Sequence, residues 1–584
     1  MRWPGHGLLW WGLCACAGWL QAAALAWPLR GWQPPGLAAG EPSGALQLLS
    51  LALLVVALRR VHRAREAVWR AWVFATAWLA GTFWWLFVSM HTYGGLPVAL
   101  AVLAVLALAG ALALYYALAA GLLVRWAPCP GPQQGLLFAA LWTLADLLRG
   151  RWFTGFPWGA GGYAHVDLMA AWAPWVGVYG MGAIAALLAY SLAGLLPPAP
   201  DAPGPRPGPD DVGSGAPPVG DGRTKSLRVV SAALVLVLWL SVLGGDAWRE
   251  RGQRDTAGAG TLRVWLLQGN VPQDQKFEPG TGVAQALDWY PAQVALAIKA
   301  AASGDRGAPQ LVVAPETALP LLPQQIGTDR WYSLLSGLAQ SGRAAPVAAL
   351  LGLPMGDPQT GYTNSAWGMA PEAASHALQA LQARGYPALT EADFYRYDKH
   401  HLVPFGEFIP PFFRWFTNLM HIPLGDFNRG ALPQPVWTWA GQRLATNICY
   451  EDLFGEELAA AFRDPVRAPT VLVNLSNIAW FGDTVAIDQH LQIARLRALE
   501  LGRPMLRATN TGATVAIDHR GVVTHQLPRL TRDRLVVQVQ GREGLTPYAR
   551  WVGRWGLWPL WALCLAVVAV IAGRRRYAIR AHRH

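Results

Sequence analysis

The sequence predicts two structures in one chain: a multi-pass α-helical membrane domain and an α/β domain outside the cytoplasm. Of its 584 residues, 53% are hydrophobic and 14% are charged, whereas a soluble domain carries roughly 25% charged residues. The 31 tryptophans and 62 glycines are also typical of membrane proteins. The apolar residues are gathered in a long N-terminal block and one C-terminal run, with a stretch of soluble character between them. This much apolar surface excludes a disordered chain.

Eight apolar runs are candidate membrane spans by length and composition. Six lie in residues 1–197, the seventh in 227–245 and the eighth in 551–573. They cover residues 7–27, 37–58, 68–90, 96–124, 135–149, 169–197, 227–244 and 552–572. The first run resembles a secretion signal, but further spans follow it directly, which favours a transmembrane helix.

Arginine-rich segments predict the orientation of these spans. Five arginines lie between Arg59 and Arg70, and five more lie in the C-terminal tail at 574–584. Both segments should be cytoplasmic by the positive-inside rule, so eight spans place residues 246–550 on the opposite side. The Pro/Gly/Asp-rich stretch 198–226 is then a flexible cytoplasmic linker. The net charge of +12 is accounted for by topology and does not indicate a nucleic-acid partner.

Residues 246–550 have the pattern of an α/β domain. Short apolar runs rich in β-branched residues recur, and helical patterns lie between several of them, most clearly at 490–501. The predicted strands are 262–267, 311–314, 346–351, 444–448, 470–473 and 535–539. A stretch of roughly 300 residues is ample for one complete hydrophobic core.

One cysteine stands apart from the other four. The five cysteines are Cys14, Cys16, Cys129, Cys449 and Cys564. Only Cys449 lies in the α/β domain, where an oxidising compartment would usually pair thiols, so it is either buried filler or a nucleophile. It ends a predicted strand and is followed by Tyr450, Glu451 and Asp452, which favours a nucleophile on a strand-to-helix turn.

Ionisable residues follow two other predicted strands. Glu316 comes directly after the strand at 311–314, and Lys399 precedes an apolar, proline-bracketed loop. Each alone is most simply a solvated loop charge. Together with Cys449 they supply a base, a cation and a thiol, the groups that nucleophilic catalysis at a carbonyl requires.

Three strings around these residues resemble the nitrilase (carbon–nitrogen hydrolase) superfamily: PET at 315–317, KHHLVPFGE at 399–407 and CYE at 449–451. Set between membrane spans, they resemble the apolipoprotein N-acyltransferase family, and the similarity covers essentially the whole chain. Further similar strings are QGNVPQ at 268–273, NLSNIAWFG at 474–482, RALELGRP at 497–504, YGGLP at 93–97 and TGFPW at 154–158.

The resemblance implies roles for these residues. Glu316 is implied as the general base and proton acceptor, Lys399 as the group that stabilises the oxyanion, and Cys449 as the nucleophile. Three supporting residues are implied as well: Glu407, Tyr450 and Glu451. The implied fold is a nitrilase-like α-β-β-α sandwich on an eight-span membrane base, without a metal or an organic cofactor.

The resemblance also implies a reaction and a location. The family moves an acyl chain from a membrane phospholipid, through a thioester on the catalytic cysteine, to the α-amino group of the N-terminal S-diacylglyceryl-cysteine of an apolipoprotein. The implied partners are the phospholipid donor, the apolipoprotein acceptor and the bilayer. The implied location is the bacterial inner membrane, with the catalytic domain on the periplasmic side.

Some segments depart from the family pattern or remain open. Phe277 stands where relatives often have tryptophan, at a position tied to substrate handling, and 371–393 looks inserted. The aromatic segment 408–416 is either a buried helix or a lipid-facing arm. The candidate lipid contacts are Phe277, Phe412, Phe413, Trp415 and Phe416.

Two other functions compete with N-acyl transfer. A membrane-tethered amidase that hydrolyses a small extracytoplasmic amide would use the same thioester chemistry, but it would need one anchor at most. A transporter would place paired charges deep in its spans, and only Glu41, Arg70 and Asp146 lie near such positions.

Overall fold

The computed structural model describes residues 5–61, 63–127, 130–196, 245–341, 345–384, 394–409 and 427–581, and six single positions between 229 and 240. The chain divides into two compact units. The first comprises Met1–Leu86, Val98–Arg251 and Leu557–His584, and the second comprises Phe87–Pro97 and Gly252–Gly556.

The helices are α1 (Gly5–Ala23), α2 (Gly44–Leu58), α3 (Ala64–Phe83), α4 (Val98–Trp126), α5 (Pro132–Arg149), α6 (Ala173–Leu195), α7 (Gly245–Gly252), α8 (Ala284–Ala302), α9 (Thr328–Gln340), α10 (Pro371–Arg384), α11 (Gly455–Ala459), α12 (Ala486–Leu501), α13 (Pro547–Trp555) and α14 (Trp558–Ala581). The strands are β1 (Thr256–Gln268), β2 (Leu311–Val313), β3 (Ala348–Asp357), β4 (Gly361–Met369), β5 (Tyr395–Asp398), β6 (Trp437–Trp439), β7 (Gln442–Ile448), β8 (Val471–Ser476), β9 (Met505–Thr509), β10 (Val515–Ile517), β11 (Val523–Gln526) and β12 (Asp533–Gly544).

The first unit is helical. Within the described residues, three helices are long and apolar enough to cross a membrane: Val98–Trp126, Ala173–Leu195 and Trp558–Tyr577. Leu8–Ala23 and Gly44–Leu58 are shorter apolar helices. Helices also lie over the third and fifth predicted spans, whereas the linker and most of the seventh span fall outside the described residues. The count of eight crossings therefore stays a prediction.

The charged residue in the fifth predicted span is paired inside this unit. Asp146 on α5 is buried, accepts a hydrogen bond from the Tyr116 hydroxyl and lies 3.6 Å from an Arg149 guanidinium nitrogen. Arg149 also donates to the backbone oxygens of Phe156 and Trp158, each at 2.7 Å. Arg149 therefore holds the 154–158 loop. Its ion pair with Asp146 and these hydrogen bonds compensate for the cost of burying two charges.

The second unit contains two six-stranded sheets. The strand order is β12-β1-β2-β3-β4-β5 in the first sheet and β11-β10-β9-β8-β7-β6 in the second. The central strands β1, β2 and β3 are parallel, as are β7, β8 and β9. Because β3, β4 and β5 alternate in direction, β5 runs the same way as β2.

Successive side chains of a strand point alternately toward the other sheet and toward the outer helices. Val264 and Leu266 of β1 pack with apolar residues of both sheets, whereas Trp265 and Leu267 pack against α8 and α9. The second sheet has an outer helix as well, since Arg507 of β9 contacts His490 of the buried α12. This two-residue period produces the predicted α-β-β-α sandwich.

Candidate active site

The three predicted catalytic residues follow three strands. Glu316 comes just after β2, Lys399 directly after β5, and Cys449 directly after β7. The Lys399 Nζ lies 2.9 Å from Glu316 Oε1. Glu451 accepts from the backbone N–H groups of His400 and Ile448, which joins the Lys399 loop to the Cys449 turn. The charges of Glu316 and Lys399 both shift the pKa of the Cys449 thiol. These contacts bring the segments that follow β2, β5 and β7 together.

Three donors surround the Glu316 carboxylate. Oε1 accepts from Lys399 Nζ at 2.9 Å and from Asn364 Nδ2 at 2.7 Å, and Oε2 accepts from the Asn477 backbone N–H at 2.9 Å. Burial opposes ionisation of this group, but the ammonium groups of Lys399 and Lys276 and these hydrogen bonds hold its pKa below the ordinary value. Glu316 is therefore a carboxylate at neutral pH and is able to accept a proton.

A second carboxylate fixes Lys399 from the other side. Glu407 Oε1 accepts from Lys399 Nζ at 2.9 Å and from Asn364 Nδ2 at 2.6 Å, and Oε2 accepts from the Val403 N–H at 2.8 Å. Burial favours neutral Lys399, but the charges of Glu316 and Glu407 outweigh it and raise the pKa of the ammonium group. Lys399 is thus a fixed cation.

Strained backbone is concentrated around these residues. Cys449 has φ of 53°, Thr317 beside Glu316 has 50°, and Phe405 in the loop after Lys399 has 64°. Such values are unfavourable for residues with a Cβ atom and recur at functional sites. At Cys449 the chain leaves β7 and enters a tight turn at Cys449–Leu453, the geometry expected of a nucleophile on a strand-to-helix elbow.

The close approach of β3 to the Glu316 loop requires glycine. A Cβ atom at Gly352 would lie 2.3 Å from the Pro315 carbonyl oxygen and 2.8 Å from the Glu316 Cα. Any larger side chain at this position would displace the segment that carries the carboxylate.

The Cys449 thiol is neutral in the resting site. Burial and the negative charge of Glu316 raise its pKa to about 12, and Lys399 only partly counters this. A thiol with this pKa is a poor nucleophile at neutral pH, since the thiolate is the reactive form. Attack by the sulfur therefore requires transfer of its proton to a base, and Glu316 is the carboxylate whose charge acts on it most strongly.

Glu451, predicted as a supporting residue, ties the Lys399 loop to the Cys449 turn. Its Oε1 accepts from the His400 N–H at 2.6 Å, and its Oε2 accepts from the Ile448 N–H at 2.6 Å and the Tyr397 hydroxyl at 2.9 Å. Burial raises the pKa of its carboxyl to about 7. Tyr450, also predicted, is buried. Its ring lies 5.6 Å from that of His401.

A buried charge network beneath the Cys449 turn was not predicted. Asp452 accepts from His490 Nε2 at 2.8 Å and from Arg507 Nη1 at 2.6 Å. His490 Nε2 also lies 3.3 Å from the Cys449 carbonyl oxygen. These residues lie on three separate elements, so no local pattern in the sequence could have grouped them.

Two further polar residues of the site were missed. Asn364 of β4 donates to both Glu316 and Glu407. Lys276 is buried with 4% exposure, and its Nζ donates to the Glu316 carbonyl oxygen at 3.2 Å. The available signal was an amide within a strand that mixes small, polar and aromatic residues, and a lysine in a chain that has only four lysines.

Of the predicted lipid contacts, the structure describes only Phe277, which directly follows Lys276 in the chain. Phe277 is 44% exposed. Phe412, Phe413, Trp415 and Phe416 lie outside the described residues. The predicted insertion at 371–393 contains α10, with 385–393 outside the described residues.

Comparisons with known proteins cover both units. The family model of the apolipoprotein N-acyltransferase N-terminal domain matches residues 37–191, and the carbon-nitrogen hydrolase model matches residues 284–548. A solved amidase of the nitrilase superfamily from Nesterenkonia aligns with 50% of this chain and 95% of its own, at 18% identity. Its TM-score is 0.32, too low to carry an argument.

The curated relatives are similar over most of their length. An apolipoprotein N-acyltransferase from Verminephrobacter eiseniae is 51% identical over 93% of this chain and 92% of its own. One from Ralstonia nicotianae is 43% identical over 86% of this chain and 85% of its own. One from Bordetella bronchiseptica is 41% identical over 86% of this chain and 88% of its own. The chain belongs to the apolipoprotein N-acyltransferase family.

Proposed function

We propose that this chain moves an acyl chain from a membrane phospholipid, through a thioester on Cys449, to the α-amino group of an N-terminal S-diacylglyceryl-cysteine of an apolipoprotein. The observation that carries the proposal is the similarity to N-acyltransferase relatives over 93% of the chain, apolar helices and catalytic fold together. A tethered amidase is not favoured, because such an enzyme has no use for the helical domain matched at 37–191.

The first half-reaction acylates the enzyme. Glu316 takes the thiol proton while the Cys449 sulfur attacks the ester carbonyl carbon, and the carbonyl electron pair moves onto oxygen. Lys399 stabilises this oxyanion. Its collapse re-forms the carbonyl and breaks the bond to the glycerol oxygen, which receives the proton from Glu316 and leaves as lysophospholipid.

The second half-reaction uses the same groups in the same order. The α-amino group of the acceptor attacks the thioester in its neutral form and passes a proton to Glu316. A second oxyanion forms beside Lys399. Its collapse breaks the carbon–sulfur bond, and the proton returns from Glu316 to the Cys449 sulfur. The enzyme is restored, and the acyl chain is held as an amide.

The supporting residues have structural reasons for their roles. Glu407 and Asn364 hold Lys399 and Glu316 through hydrogen bonds of 2.6–2.9 Å. Glu451 holds the Cys449 turn against the Lys399 loop. Both half-reactions require the base, the cation and the sulfur in one fixed arrangement.

A transfer assay with two matched acceptors tests the proposal. The enzyme is reconstituted in phosphatidylethanolamine-containing vesicles with an S-diacylglyceryl-cysteine peptide, or with the same peptide acetylated at its α-amino group. We expect one added acyl chain on the free-amine peptide, an equal amount of lysophospholipid, and no product from the acetylated peptide. Release of free fatty acid without peptide acylation would identify a hydrolase instead.

The proposal extends to topology: eight spans in the bacterial inner membrane, both termini cytoplasmic and residues 246–550 periplasmic. The Arg-rich segments support this orientation. In a variant with the other cysteines removed, Val466→Cys, at a position 82% exposed, should react with a membrane-impermeant thiol reagent in spheroplasts. Ser214→Cys in the linker should react only after lysis. The reverse pattern would show that the orientation is wrong.

A further inference from the structure

Lysine is rare in this chain, and its positions are informative. Of the 47 basic Lys and Arg residues only four are lysine: Lys225, Lys276, Lys299 and Lys399. Lys276 and Lys399 are both buried beside Glu316. Arginine carries a larger, planar group, whereas lysine is a compact point charge that can share a small site with a reacting atom. Two of the four lysines thus lie in one catalytic cluster.

The two ammonium groups have different bonding. Each ammonium carries three donors. Lys399 directs two of them at the carboxylates of Glu316 and Glu407. Lys276 has one hydrogen bond, to the Glu316 carbonyl oxygen at 3.2 Å, and makes no ion pair with the residues that the structure describes. Two donors of a buried cation are thus left for something else.

The loop that carries Lys276 is fixed against the site. Gln273 Oε1 accepts from Asn477 Nδ2 at 2.9 Å, and the Asn477 N–H donates to Glu316. A Cβ atom at Gly282 would lie 2.9 Å from the Lys276 Cα, so the following turn packs directly on the lysine backbone. Lys276 is therefore held in place rather than free to swing into solvent.

A second buried donor lies nearby without a partner. Gln273 is 5% exposed, and its Nε2 has no hydrogen-bond partner among the described residues. Buried donors without acceptors are costly. Lys276 and Gln273 therefore hold donors beside the base that are available to an acceptor of the substrate.

We propose that Lys276 is a catalytic residue whose ammonium group, together with Lys399, donates to the carbonyl oxyanion in both half-reactions. This rests on the proposed site, because the oxyanion is that of the Cys449 intermediate. The atoms and charges of each half-reaction stay as described above, and Lys276 adds one hydrogen bond and one positive charge at the oxygen. Lys399, with two donors already engaged, has only one to offer.

The electrostatics of the site agree with this role. Burial lowers the pKa of Lys276 to about 8, against the opposing charges of Glu316 and a Cys449 thiolate. The ammonium form is present below that pH and is lost as the pH rises through it. The rates of both half-reactions should therefore fall above about pH 8.

The substrate offers a second anion, the phospholipid phosphate, and the two half-reactions distinguish it from the oxyanion. A phosphate contact would act only when the enzyme is acylated by phospholipid. An oxyanion contact acts in that step, in acylation by p-nitrophenyl palmitate, which has no phosphate, and in transfer from the acyl-enzyme to the peptide.

The test compares Lys276→Met and Lys276→Arg with the exposed control Lys299→Met in these three steps between pH 6 and 10. We expect Lys276→Met to slow all three by about 100- to 1,000-fold, the usual effect of losing one oxyanion donor. Lys276→Arg, which keeps its charge, should recover part of the rate and lose the fall above pH 8. Lys299→Met should behave as the unmodified enzyme.

Three results would overturn the proposal. Loss confined to acylation by phospholipid would identify a phosphate contact, and rates of Lys276→Met within twofold of the unmodified enzyme would leave the residue no role in chemistry. A structural role would be indicated if Lys276→Arg kept the fall in rate above pH 8 and if both Lys276→Met and Lys276→Arg had a lowered melting temperature. Absence of any Cys449 adduct in the unmodified enzyme would instead refute the proposed function itself.

Discussion

Replacing Cys449 by alanine is expected to abolish acyl transfer to the diacylglyceryl peptide while leaving the fold intact. The side chain that is lost is the one that forms the thioester, and loss of a nucleophile lowers the rate by several orders of magnitude. Alanine fits the space of the thiol, so the melting temperature should stay near that of the unmodified enzyme. The measurement is the rate of peptide acylation at equal protein concentration.

Cys564→Ala is the matched control, because Cys564 is a buried cysteine of the helical unit, outside the second unit that holds the site. It should retain full transfer activity. Acylation of the peptide by Cys449→Ala at more than a small fraction of the control rate would show that another residue is the nucleophile.

Glu316→Gln and Lys399→Met are expected to stop acyl-enzyme formation at neutral pH for different reasons. Glutamine keeps the shape of Glu316 but accepts no proton, so the thiol, with its pKa raised to about 12, stays protonated. Raising the pH from 7 to 10 increases the thiolate fraction about tenfold per unit. Part of the acylation rate should therefore return in Glu316→Gln.

Lys399→Met should not recover in this way, because no change of pH replaces the positive charge at the oxyanion. The measurement is the amount of acyl adduct on Cys449 against pH, expressed relative to the unmodified enzyme at the same pH, which removes titrations common to both. Two exposed residues provide controls, Glu372→Gln and Lys299→Met. Equal recovery in both site variants, or full activity in either, would mean that the two roles are wrongly assigned.

Two of the three candidate catalytic residues, Glu316 and Cys449, follow predicted strands, whereas the short strand before Lys399, β5, has no clear apolar pattern. The run at 311–314 is continuous and apolar, as strands of a buried parallel sheet are, whereas the run at 444–448 includes the polar residues Thr446 and Asn447. Glu316 and Cys449 follow these runs. In the structure these runs are β2 and β7, and Lys399 follows β5. The predicted roles of the three residues came from the resemblance to the nitrilase superfamily, and in the structure hydrogen bonds of Glu451 and Asn477 join the segments that carry them.

Other strands escaped prediction because their sequences do not have the apolar pattern. β4 mixes glycine, polar and aromatic residues, and β11 is mostly exposed at the edge of its sheet. Both are defined by pairing with neighbouring strands rather than by their own side chains. Asn364 was missed with β4, since its role depends on the sheet that places it between two carboxylates.

Lys276 and the Asp452–His490–Arg507 network show a second limit. Their function depends on burial beside residues far away in the chain, which periodicity does not report. His490 was placed correctly on a helix, but its contact with the Cys449 turn follows from the packing of α12 on β9. Only the three-dimensional arrangement separates such residues from ordinary core or surface charges.

The central claim is that Cys449 carries the acyl chain between donor and acceptor, and the mass of the protein after mixing with phospholipid alone tests it most directly. Without any acceptor peptide, the enzyme should gain the mass of one acyl chain, located on the peptide that contains Cys449 and released by hydroxylamine. An equal amount of lysophospholipid should appear, and adding the diacylglyceryl peptide should remove the adduct. Transfer to the peptide without any adduct on Cys449, or an adduct on another residue, would contradict the account.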